Sequence, residues 1–88
     1  MPTISMFKGI IVRMYFAPSE HAPAHIHVYY GEYQAIFAIP YGELLNGFLP
    51  QKQRHMLNKW LLLHQKELIS DWALAMNCET LFSIEPLR

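Results

Sequence analysis

Apolar and polar residues alternate through the first part of the chain, and the period then lengthens. Ile4, Met6, Ile10, Val12, Met14 and Phe16 share one parity, interrupted by Lys8, while Ser5, Phe7, Gly9, Ile11, Arg13 and Tyr15 share the other. A period of two marks a strand with one buried face, so residues 4–16 read as strand, with Arg13 and Tyr15 directed away from the core. Gly9 marks a bulge, a bend or the end of a first short strand. Pro18 and Pro23 set residues 17–24 apart as a loop. Two strands are predicted next, over residues 25–30 and 33–39, joined by Gly31-Glu32, the Gly-X form of a two-residue hairpin turn. That turn pairs Tyr30 with Tyr33, Val28 with Ala35 and Ile26 with Phe37, all on the core side. His25, His27, Tyr29 and Gln34 fall on the opposite side, together with Ile36 and Ala38. Pro40-Tyr41-Gly42 reads as a turn, and residues 43–49 as a short, poorly alternating strand containing Asn46-Gly47.

Pro50 is well placed to open a helix, and neither proline nor glycine follows until Pro86. Met56 or Leu57, Trp60 or Leu61, His64, Leu68, Trp72, and Ala75 or Met76 keep helical spacing. A straight helix over residues 51–77 would run ~40 Å at about 1.5 Å per residue, too long for so small a domain, so a break is expected near residues 64–66. Trp60 and Trp72 are expected to pack the helices onto the sheet, and the His64 side chain to cap the first helix's carbonyls. Residues 81–84 are expected to add a last short strand. The predicted fold class is α+β, one domain over residues 1–88: a small antiparallel sheet of three to four strands with a two-helix layer, or one kinked helix, on one face.

Composition narrows the classes of function. No stretch approaches the ~20 apolar residues that span a bilayer, and the first residues lack the charged-then-apolar layout of a signal peptide, so a cytoplasmic protein with no membrane association is expected. The single cysteine, Cys78, excludes an internal disulfide framework and a multi-cysteine zinc site. A formal net charge of +0 argues against coating nucleic acid through bulk electrostatics. The charge is nevertheless uneven, with Lys52, Arg54, Lys59 and Lys66 followed by Glu67, Asp71, Glu79 and Glu85. Lys52 and Arg54 lie in the first turns of the predicted helix, where the macrodipole disfavours positive charge by ~0.3 to 1 kcal/mol. Such residues are candidate contacts for a phosphate or RNA.

The densest chemistry is His21, His25 and His27, three of the five histidines within seven residues. Imidazole is the commonest metal ligand and titrates near neutrality, so the cluster has three readings. His21, His25 and His27 could bind a divalent metal such as zinc and leave a position open for water. Without a metal or any other cofactor, His25 and His27 could serve as base and acid in RNA cleavage, with Arg13 as phosphate clamp and Tyr29 as a positioning hydroxyl. The histidines could also simply hydrogen-bond loop backbone, leaving the tyrosines and an edge strand to bind a partner protein.

Pro2-Thr3-Ile4-Ser5-Met6-Phe7 with Arg13, His21-x-Pro23-x-His25-Ile26-His27-Val28-Tyr29-Tyr30-Gly31-Glu32-Tyr33, Gly42-Glu43, Leu49-Pro50, Trp60, His64, Glu67-Leu68, Trp72 and Ile84-x-Pro86-Leu87 together carry a resemblance. With these residues the chain resembles the small bacterial proteins called domain of unknown function 4160, over nearly its whole length. Members are often encoded beside a second small protein, of the family called domain of unknown function 2442, in an arrangement like a toxin–antitoxin pair. The resemblance therefore implies a small cognate protein as partner, and it supplies no catalytic residues. The leading expectation is the toxin-like component of such a pair, acting as a histidine-dependent ribonuclease. The alternatives are a non-enzymatic binding module, either the antitoxin or a transcriptional regulator partner, and a small metal-binding protein.

Overall fold

Lys8 and Gly9 turn the chain back on itself with φ of 50° and 81°. Positive φ at both central positions is what a type I′ hairpin demands. The turn divides the expected first strand into β1 (Thr3–Phe7) and β2 (Ile10–Arg13) and places Phe7 opposite Ile10, both buried. The apolar parity therefore switches across the turn, and Met6 is left exposed on the outer face. A bulge between Thr3 and Ser5 lets Ile4 and Ser5 both face inward. The structure, a computed structural model, describes residues 2–20 and 22–88.

The next hairpin is the predicted one. β3 (His25–Tyr30) and β4 (Tyr33–Ala38) are joined by Gly31-Glu32 and pair Tyr30 with Tyr33, Val28 with Ala35 and Ile26 with Phe37. Tyr33 differs from expectation: it lies on the core side but at the rim, 42% exposed, against the Phe48 ring. β5 (Leu44–Gly47) completes an antiparallel meander in the order β1-β2-β3-β4-β5, five strands rather than three or four.

Two helices, α1 (Gln51–Leu63) and α2 (Gln65–Met76), cover one face of the sheet. Leu57, Trp60, Leu61, Leu68 and Ala75 join Val12, Ile26, Val28 and Phe37 in one core, all buried. The break falls at His64, the last cap of α1 and the first of α2. Its ring does not cap the carbonyls; Nδ1 is 2.8 Å from a Glu67 carboxylate oxygen.

The final strand does not form. The Phe82 N–H donates to the Asp71 carboxylate (3.0 Å), and of this segment Ile84 alone reaches a strand, donating to the Ile4 carbonyl. The tail is pinned instead by the Trp60 indole N–H, which donates to the Glu85 carbonyl at 2.8 Å.

Candidate functional site

The register fixes what stands on the outer face of the sheet. Thr3 pairs with Arg13, Arg13 with His27, His27 with Ile36, and Ile36 with Asn46. These residues form one cross-strand row through all five strands, with His27 at its centre. Directly opposed residues of antiparallel strands have Cα atoms about 4.5 to 5.5 Å apart, so Arg13 and His27 are immediate neighbours. The adjoining row carries Ile11, Tyr29 and Gln34. His25 follows from strand periodicity on the same face, where its ring meets Trp72 of α2 with centroids 5.1 Å apart.

The loop after β2 returns over this face. Its Ala17 N–H donates to the Ala75 carbonyl at the end of α2, and Glu20 then reaches the histidines. His25 Nδ1 donates to the Pro23 carbonyl (2.7 Å), which can only accept, and this fixes the hydrogen on Nδ1. Nε2 of His25 is thereby turned to Glu20 Oε1 at 2.9 Å. His27 Nε2 makes a close hydrogen bond to the same oxygen. Glu20, His25 and His27 are all half-buried, and each offers one ligand atom within 4.8 Å of the others.

The electrostatics agree with the geometry. Burial alone would raise the Glu20 pKa, but the hydrogen bonds to His27 and His25 and their charges outweigh it and hold the carboxyl below its usual value. The Tyr29 hydroxyl shares a 2.8 Å hydrogen bond with Tyr15, and the Tyr15 ring meets His27 edge-on with centroids 4.6 Å apart. Burial first, then the bond to Tyr15, push the Tyr29 phenol up, against the opposing effect of Arg13. That guanidinium lies 5.0 Å from the centre of the Tyr29 ring, and its Nε–H donates to Thr3 Oγ1 at 3.2 Å.

The structure thus brings together His25, His27, Arg13 and Tyr29, four residues singled out in the sequence. Lys52 and Arg54 belong elsewhere. Both are exposed on α1, on the side of the sheet away from the histidines, where Arg54 stands beside the Phe37 ring and lines a groove with His55 and Asn58. His21 lies outside the described residues. Glu20 was missed by the sequence reading, and the signal for it is spacing: a carboxylate five residues before the first of two alternating histidines, on a loop bounded by prolines.

A search by family places the chain. One family's profile matches residues 9–73, most of the length, and that span contains Arg13, Tyr15, Glu20, His25, His27 and Tyr29. The chain belongs to the family described as a domain of unknown function, DUF4160. No curated protein and no solved structure matches it. The outer-face cluster therefore falls wholly within the DUF4160 region, whereas the tail held by Trp60 and Asp71 lies beyond it. Among the described residues no helix is long and apolar enough to cross a membrane.

Proposed function

We propose that this chain is a metal-dependent module in which Glu20, His25 and His27 hold a divalent transition metal such as zinc on the open sheet face. One observation carries the reading: three acceptor atoms converge with His25 already oriented by the Pro23 carbonyl. Ligating histidines ordinarily donate their second nitrogen to a carbonyl or carboxylate in this way, which fixes the ring and makes it a better ligand. Metal bonds of about 2.0 to 2.1 Å set neighbouring ligand atoms roughly 3.0 to 3.4 Å apart, and the 2.9 Å between His25 Nε2 and Glu20 Oε1 is close to that. Without a metal, protons on the imidazoles fill the same gap. Two histidines and one carboxylate leave coordination positions for water or substrate, the arrangement of hydrolytic zinc sites.

The toxin-like ribonuclease role then becomes a proposal about what the centre acts on, in the cytoplasm. Metal-free acid–base catalysis with His25 as the base is less favoured, because both nitrogens of His25 are engaged in hydrogen bonds and neither is free to take a substrate proton.

The test is a zinc titration of tag-free, metal-stripped protein followed by thermal unfolding. At 100 times the dissociation constant, binding stabilises by about 2.7 kcal/mol. At about 4 to 8 °C per kcal/mol for a domain of this size, the melting temperature rises by roughly 11 to 22 °C. His27→Ala and Glu20→Ala should remove the rise. A wild-type chain that neither shifts nor binds Zn²⁺, Mn²⁺ or Fe²⁺ by calorimetry would refute the reading.

A further inference from the structure

Arg13 is a half-buried cation with no ion-pair partner among the described residues. Its Nε–H is committed to Thr3 Oγ1 and its plane to the Tyr29 ring, but no carboxylate pairs with it among the described residues. The nearest candidate by topology, Glu20, turns its oxygen to the histidines instead. Arg13 lies directly across the ladder from His27, which puts its side chain on the same sheet face as the proposed metal, over the Tyr29 ring. On the other side of His27 is an open cleft of about 210 Å³, walled by Tyr29 and Ile36 and lined by the amide-bearing Gln34 and Asn46. A forked donor, an aromatic wall and two amides arranged around one imidazole suit a ligand with one negative charge and a flat polar group beside it.

We propose that Arg13 and this cleft form an oxyanion subsite that binds a phosphodiester of single-stranded nucleic acid, presenting the phosphoryl oxygens to the metal-bearing side of His27. Guanidinium binds phosphate through paired, charge-assisted hydrogen bonds, and the strand ladder puts Arg13 next to His27 on the same face. The amides and the Tyr29 ring then take an adjacent base by hydrogen bonding and by contact with its flat face. This ligand class rests on the metal reading, yet the Arg13 contact exists in the metal-free chain as well. A site of one arginine needs no basic surface, which accords with a formal net charge of +0.

The experiment is an NMR titration of the full chain, with and without zinc, using the dinucleotides UpU and dUpdU and, separately, acetate. Both dinucleotides should shift the Arg13 Nε–H and the amides of His27, Tyr29 and Gln34. Arg13→Gln should weaken their binding about 10-fold or more while leaving zinc affinity unchanged. Arg13→Lys, which keeps the charge and tolerates the fold, should recover only part of it. Preference for UpU over dUpdU would identify RNA as the source of the phosphodiester, and equal binding would identify either nucleic acid. Shifts absent from Arg13, undiminished binding by Arg13→Gln, or acetate binding as tightly as UpU would each overturn the proposal. Failure of zinc to bind would remove the metal reading, while the metal-free titration would still decide this one.

Discussion

Gly47 and Gly9 share a φ of 81°, but not their surroundings, and this makes them a matched pair. A Cβ at Gly9 would lie 3.2 Å from the edge of the Tyr30 ring, a side chain that can give by tenths of an ångström. At Gly47 it would lie 2.8 Å from the Cα of Ala35 and nearer still to the Gln34 carbonyl oxygen, backbone that cannot yield unless β5 separates from β4. Either substitution to alanine incurs roughly 1 to 2 kcal/mol for a left-handed backbone carrying a side chain. Gly47→Ala should also break about two ladder hydrogen bonds, at about 0.5 to 1.5 kcal/mol each. We expect Gly47→Ala to cost ~2 to 5 kcal/mol and Gly9→Ala ~1 to 2 kcal/mol. Urea unfolding with an m-value near 1 kcal/mol/M separates the two midpoints by roughly 1 to 3 M. Since β5 supplies Asn46 and Gly47 to the outer cleft, dinucleotide binding should fall with Gly47→Ala even where zinc binding persists. If the two variants agree within about 0.5 kcal/mol, the reasoning about the β4–β5 contact is wrong.

Asp71 is buried, with Oδ1 accepting from Phe82 and Oδ2 unpartnered; burial first, and then Glu67, raise its pKa above the usual 3.8 despite the Phe82 bond. The folded state therefore holds the proton more tightly than the unfolded chain, and the associated stability is present below the ordinary carboxylate range and lost as pH rises through the folded value. Asp71→Asn should accordingly be more stable than wild type at pH 7, with the gap closing by about pH 3 to 4; a pH-independent gap in urea unfolding would contradict this. Trp60→Phe leaves the Glu85 carbonyl without its indole donor and opens space in the core, an expected loss of about 1 to 3 kcal/mol by urea unfolding. The tail beyond α2 should become cleavable by protease at the same time, and unchanged resistance would show that Trp60 does not anchor it.

The β3–β4 hairpin was legible because a two-residue Gly-X turn sets register by geometry, and one face of each strand is apolar. The β1–β2 hairpin was not. Lys8-Gly9 lacks the usual Asn or Asp at the first position, and with Met6 and Phe7 both apolar the change of parity is invisible in the pattern. The helix break at His64 followed from length alone, but the ring's bond to Glu67 depends on which carboxylate the second helix presents. Leu81-Phe82-Ser83-Ile84 looks strand-like, yet Asp71 competes for the Phe82 N–H, a tertiary event that no local period records. Arg13, His25, His27 and Tyr29 were found because alternation assigns residues to faces. Glu20 was not, since a loop residue is placed by where the chain returns; its spacing from the two histidines offers a candidate, but the convergence itself is a tertiary event.

Glu20 and His27, the ligands of the proposed metal, belong to parts of the molecule with unequal holds on the fold. β3 is hydrogen-bonded on both flanks, so the strand that carries the imidazoles opens only together with the sheet. Glu20 rides on a segment between two prolines, tied down at Ala17 by a bond from its N–H to Ala75 and one from Cys78 Sγ. Parting the carboxylate from the histidines is then a local opening, whose free energy is set by a few contacts and is smaller than global stability. An ion shared by loop and strand would close that gap and act as a latch. In amide hydrogen exchange, the 14–24 segment would report occupancy of the site by its protection, making the loop a built-in sensor of whatever the centre holds.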